Sequence, residues 1–154
     1  MSKRVFKLVT LFLMQTLTAS SAYATLGETI QTVETDRQSL AAIRHASVPR
    51  PKYTIEEIQS HSVTLREYVS SSGVIFGIAW IGLSHPKLQT LLGSHYYGLY
   101  QNSVSSNKKV PGRRNLTLKN NNLVVSTGGH QRALIGRAFD PTLIPNGVTA
   151  DEIK

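Results

Sequence analysis

Cysteine is absent from all 154 residues, which excludes disulfide staples, a thiol nucleophile, an iron–sulfur cluster and lipid attachment at an N-terminal cysteine. Signatures of metal sites and hydrolases are missing as well. His45, His61, His85, His95 and His130 stand far apart with no His-x-x-x-His pair, and no Gly-x-Ser-x-Gly nucleophile turn occurs. Long apolar runs are lacking too: the run Leu8 to Leu17 covers ten residues and contains Gln15 and Thr16, where a membrane-spanning helix needs about 20. A chain of this length is too short for a two-halved dinucleotide-binding fold or an eightfold barrel. Nothing in the residues calls for a cofactor.

Acid is scarce in one long region. From Tyr68 to Phe139 there is no Asp or Glu, yet Lys87, Lys108, Lys109, Arg113, Arg114, Lys119, Arg132 and Arg137 fall there. The densest piece, Lys108-Lys109-Val110-Pro111-Gly112-Arg113-Arg114, places four cations around a Pro-Gly turn and reads as an exposed loop. Such a loop can solvate the chain, or can contact an anionic glycan, a lipid headgroup or the acidic face of a partner protein. Nucleic acid is not expected, because no recognised binding motif is present.

What is present at the start is a targeting pattern. Lys3, Arg4 and Lys7 lead into Leu8-Val9-Thr10-Leu11-Phe12-Leu13-Met14, and small residues end at Ala22-Tyr23-Ala24. This arrangement predicts a signal peptide over residues 1–24 and an exported chain, periplasmic or secreted, with no transmembrane helix after cleavage. Three of the 17 cations leave with it, so residues 25–154 carry 14 against 9 acids, a net +5. They form one domain large enough to bury a core without covalent links.

Periodicity predicts an α+β fold: an antiparallel sheet of about five to six strands built from hairpins, a helix at the N-terminus and one between the two strand groups. The N-terminal helix is expected between Leu26 and about Ala46, with Ile30, Val33, Leu40 and Ile43 on its apolar side, ended by Pro49 and Pro51. Strands are expected near 53–58, 62–69 and 74–81. The last is apolar on both sides and therefore central, with Val74, Phe76, Ile78 and Trp80 sharing one face. Pro86 suits the start of a helix carrying Leu88, Leu91, Leu92, Tyr96 and Leu99 and tolerating Gly93. Strands at 116–119, 123–127 and 130–139 follow, with turns at Asn120-Asn121-Asn122 and Gly128-Gly129, so the strand-rich core runs from about 53 to 139. Thr149-Ala150-Asp151-Glu152 fits a capping box on a short final helix.

A set of short runs occurs in a characteristic order: Thr25-Leu26-Gly27, Arg66-Glu67-Tyr68-Val69, Gly73-Val74-Ile75-Phe76, Ala79-Trp80, Leu91-Leu92-Gly93, Leu123-Val124-Val125, Gly128-Gly129-His130, Arg132-Ala133, Gly136-Arg137-Ala138 and Pro145-Asn146-Gly147-Val148. In this order the chain resembles an exported proteobacterial family known as domain of unknown function 2844. The resemblance covers nearly all of residues 25–154. It implies export, and no substrate, cofactor or catalytic residue comes with it. Gln131 departs from the hydrophobic residue expected at that point of the pattern.

Two charged residues are out of place by alternation. Glu67 shares a strand face with Leu65 and Val69, and Arg137 shares one with Ala133, Ile135 and Phe139. If their strands adjoin, a structural Glu67–Arg137 ion pair satisfies both, since a buried charge needs a partner. The functional expectation is an exported, non-enzymatic binding or accessory module whose anion-binding residues are Lys108, Lys109, Arg113, Arg114 and Lys119. The alternative is a small cell-envelope enzyme acting on a polysaccharide or cell-wall substrate with Glu67 as acid or base.

Overall fold

Three alternating strings, Tyr53–Gln59 (β3), Val63–Ser70 (β4) and Ile75–Gly82 (β5), form an antiparallel meander in the computed structural model, which describes residues 26–106, 115–120 and 122–154. Two short edge strands, Ile43–Arg44 (β1) and Val48–Pro49 (β2), lie along β3. Pro49 is tolerated there because an edge strand need not donate on its outer side. A second meander, Leu116–Asn120 (β6), Leu123–His130 (β7) and Ala133–Phe139 (β8), joins the first by pairing β8 with β5. The order is β1-β3-β4-β5-β8-β7-β6, with β2 also on β3, so the sheet has eight strands and the apolar β5 sits in its middle. The fold is α+β, as the periodicity predicts, with two more strands than the six expected, because the segment read as the end of the first helix is β1 and the Pro-containing stretch after it is β2.

Two helices cover one face of the sheet. The N-terminal element is shorter than predicted: a 3-10 turn at Ile30–Thr32 runs into helix α1 over Val33–Ser39. Helix α2, Leu88–Ser106, carries Leu91 and Leu92 into the core beside Leu65, Ile78, Trp80, Val125 and Ala138. Gly93 does more than weaken this helix. Its φ of 62° and ψ of 177° break the helix there, a geometry open to glycine and costly for a residue with a side chain.

The other face is covered over half its length. The segment after β8 brings Leu143, Ile144, Val148 and Ile153 over Tyr53, Tyr68, Phe76 and Phe139. The alternation expected of β5 fails at one point. Tyr68 pairs with Gly77 and Val69 with Ile75, so Phe76 is the extra residue of a β-bulge. It therefore turns away from Ile78 and Trp80 and joins an aromatic cluster, edge-on to Tyr53 with ring centroids 5.7 Å apart. The β7–β8 turn also moves, to Gln131-Arg132, where Arg132 takes φ 68°. The final segment ends in the expected capping box: the Thr149 N–H donates to Glu152 Oε1 at 2.9 Å before the 3-10 turn Ala150–Glu152.

Candidate functional site

Strand register lines up the side chains of the partly covered face in rows running across the sheet. One row is Ile55, Tyr68, Gly77, Phe139, Val124 and Lys119. It lies beneath the C-terminal segment, with Ile153 fully buried against Gly77. Two residues along, the next row is Glu57, Arg66, Ala79, Arg137, Ser126 and Thr117. Beyond it, Thr64, Ile81 and Ile135 follow in register. The end of the C-terminal segment borders the first of these rows, where Ala79 is buried in one cluster with Ile153, and leaves Ile81 and Ile135 of the second row half-exposed; together the two rows line an open groove of about 520 Å³, with Ile153 and Lys154 at its border.

The groove's chemistry centres on two guanidinium groups. Arg66 and Arg137 stand on β4 and β8, on either side of β5, so their backbones lie about 10 Å apart, two interstrand spacings. Ala79 between them is buried in the cluster that includes Ile153, so the two guanidinium groups flank a packed floor. Arg66 Nε donates to Glu57 Oε2 at 2.8 Å and Nη1 to the Lys154 carbonyl at 3.3 Å. Arg137 Nη1 donates to the carbonyls of Ala150 at 2.8 Å and Ile153 at 3.3 Å, and its guanidinium lies 5.8 Å from the Phe139 ring centroid. These bonds hold both groups in place while engaging a minority of the five N–H donors each carries. Anchored, partly free arginines suit carboxylate or phosphate oxygens, which a guanidinium can bind two at a time. The hydroxyls of Thr117 and Ser126, 3.2 Å apart, add neutral donors on the same side.

The covered face carries acids instead. Glu56 and Glu67 are cross-strand neighbours, and Asp36 reaches the same region from α1. All three are buried. Glu56 is satisfied: Arg44 Nη2 and Nε donate to Oε2 at 2.8 and 3.2 Å, and the Ser47 hydroxyl lies 2.7 Å from Oε1. Asp36 and Glu67 accept from no N–H or hydroxyl donor among the described residues. Their carboxyls are within hydrogen-bonding reach of each other, so a proton held by one can be donated to the other. Burial, above all, pushes both above the ordinary carboxylate range. For Asp36 the Glu67 charge adds to this, and for Glu67 the hydrogen bond from Asp36 and the Arg44 charge partly oppose it.

The structure does not bring Glu67 and Arg137 together. β5 separates their strands, and the two side chains leave opposite faces of the sheet. Alternation tells which residues of one strand share a face; it does not tell whether two strands' faces coincide. Glu67 meets Asp36 and Arg137 meets the C-terminal segment. Among the anion-binding candidates, Lys119 is exposed on the groove's side of the sheet, two residues from Thr117. Lys108, Lys109, Arg113 and Arg114 lie outside the described residues. The other cations of the acid-free stretch do not gather around Lys119 and Arg137: Arg132 is in the β7–β8 turn and Lys87 directly precedes α2, on the covered side.

Sequence reasoning missed Arg66 and Asp36. Arg66 falls just outside the acid-free stretch and looks like an ordinary solvent-side residue until the register sets it across Ala79 from Arg137. Asp36 had a readable signal, because it stands three residues after Val33 and four before Leu40, on the apolar side of its own helix. Tyr96, expected on the apolar side of its helix, is a packing residue whose hydroxyl donates to buried Asp140 at 2.6 Å. Among the described residues no group of His, Asp and Glu could hold a metal ion, and no helix is long and apolar enough to cross a membrane.

Comparison with known proteins adds a family and little else. No curated protein matches the chain. Among solved structures, a cysteine-rich secretory protein from Staphylococcus aureus subsp. aureus Mu50 is similar at 14% identity and a TM-score of 0.47, over 77% of this chain and 45% of that one. The chain thus spans less than half the length of that structure. A family model described as "Protein of unknown function (DUF2844)" matches residues 22–153, and the chain belongs to that family.

Proposed function

We propose that this protein is an exported, non-enzymatic binding or accessory module that holds an anionic ligand in the groove over β4, β5 and β8. The observation that supports this most is the pair of partly exposed arginines anchored on either side of Ala79 at the border of the groove. A guanidinium pair at that separation offers two donor forks to one anionic group or to neighbouring anionic groups of one ligand.

Acid or base chemistry at Glu67 has less support. Glu67 is 0% exposed, faces the helices, and is absent from the groove lining, whereas a general acid must reach its substrate within hydrogen-bonding distance.

Retention on a polygalacturonate matrix or on phosphatidylglycerol vesicles at moderate salt tests the reading. Arg66→Glu with Arg137→Glu is expected to abolish retention while leaving the circular dichroism spectrum unchanged. Charge reversal of Lys108, Lys109, Arg113 and Arg114 is expected to weaken retention and make it less sensitive to salt. Retention that survives the groove variant and disappears with the loop variant would move the function to the loop.

A further inference from the structure

Resting on the groove reading above, we infer that the ligand is an amphiphilic anion, one anionic head joined to an aliphatic chain. Head and chain each have a row of the sheet. The head belongs at the exposed, groove-side edges of Arg66 and Arg137. The chain belongs on the next row, where Ile81 and Ile135 are direct cross-strand partners and stand 49% and 50% exposed. Two large β-branched side chains side by side and half in water, on a face whose neighbouring aromatic row is fully covered, make a continuous apolar strip. Thr64 flanks the strip on β4, and its methyl group extends it.

The groove's other properties fit the same class. Its volume lies within the roughly 300–1,000 Å³ of small-molecule sites. Among the described residues its lining offers no aromatic ring as a stacking surface. Trp80 contributes from β5, but its ring packs over Gly136 toward the covered face and its indole N–H donates to His85 Nδ1 at 3.1 Å. Sugars and nucleobases are generally gripped by stacking on such rings, whereas an alkyl chain needs only aliphatic contact. The order of the rows sets the polarity of the ligand: head toward the C-terminal segment, chain away from it. The carbonyls of Ala150 and Ile153 hold the Arg137 guanidinium at that border, so the charged end of the groove is the built end.

Isothermal titration of the folded protein with sodium decanoate below its micelle concentration, sodium acetate and sodium glucuronate tests this directly. Decanoate is expected to bind saturably and at least tenfold more tightly than acetate or glucuronate. Ile81→Thr with Ile135→Thr, both at exposed positions, is expected to erase that preference, and Arg137→Gln to weaken decanoate at least tenfold. Equal affinity for decanoate and acetate overturns the inference, as does decanoate binding unchanged by the isoleucine pair. Glucuronate bound through Arg66 and Arg137 without decanoate would leave the anion-binding function standing and remove the alkyl class. Binding of phosphatidylglycerol vesicles without decanoate would replace the free amphiphile with a membrane surface. If none of these probes depends on Arg66 or Arg137, both the inference and the proposed function fall.

Discussion

The two faces of this sheet solve opposite problems with charge. On the helix-covered side Asp36, Glu56 and Glu67 are buried together, Glu56 paired with Arg44 and the other two facing each other. On the partly open face two arginines stay partly exposed, tied to carbonyls, to Glu57 and, at 3.8 Å, to Asp151. The first arrangement is closed to solutes and is sensitive to pH. The second is accessible and has no buried charge to neutralise. Burial therefore separates a structural device from an accessible surface, even though Glu67 and Arg66 are adjacent in the chain.

The difference is tested most strongly between two neighbours on β8 that leave opposite faces. Gly136 lies under the Trp80 ring, and a β-carbon there would sit 2.1 Å from Trp80 Cζ2. Gly136→Val must displace the indole from the core and from His85. A loss of about 3 kcal/mol is expected in urea unfolding, the upper end of ordinary overpacking penalties. A loss under about 0.5 kcal/mol, the scale of surface substitutions, would mean that Trp80 is free to move and that the covered face is not tightly filled.

Next in size is the effect of pH. Asp36 and Glu67 both hold protons in the folded state at pH values where the unfolded chain has released them. Their contribution to stability is fully present below the ordinary carboxylate range and is lost as pH rises through their raised folded values. Each retained proton gives a slope of about 1.4 kcal/mol per pH unit across that window. The groups facing the pair are Glu56, whose charge strengthens the effect on Glu67, and Arg44, whose charge weakens it. Glu67→Gln replaces the shared proton with an amide N–H donated to Asp36. Its stability curve is expected to be flatter between pH 5 and 9, with a higher urea midpoint than the parent at pH 9. Parallel curves for the two proteins would mean that the carboxyls do not share a proton.

Much of this was legible before the structure, and the failures have definite causes. The central position of β5, the burial of Glu67 and the Thr149–Glu152 capping box all follow from local pattern, since alternation and capping depend on residues a few positions apart. Phe76 was assigned to the wrong face because a one-residue bulge resets the period, and nothing in Gly73-Val74-Ile75-Phe76 marks it. Gly93 gave a visible warning, but propensity alone does not separate a weakened helix from a broken one. The Arg66–Arg137 pair could not be read from the chain at all. It exists because β8 crosses back to the β5 edge after about 50 residues, and only that register brings position 66 level with 137.

The smallest expected effect makes the clearest contrast with Gly136. Ile135 is its neighbour in sequence, leaves the other face and is half exposed, so Ile135→Thr removes apolar surface that is already partly in water. Threonine keeps the β-branch favoured in strands while losing the δ-methyl group, and no buried polar group is created because its hydroxyl can reach solvent. The urea midpoint should move by no more than about 0.5 kcal/mol, the range of ordinary surface substitutions. A loss of 2 kcal/mol or more would show that Ile135 is covered in solution by some other part of the chain or by a second copy. The groove would then be a contact surface already in use, and the free arginines beside it would belong to that contact rather than to a ligand.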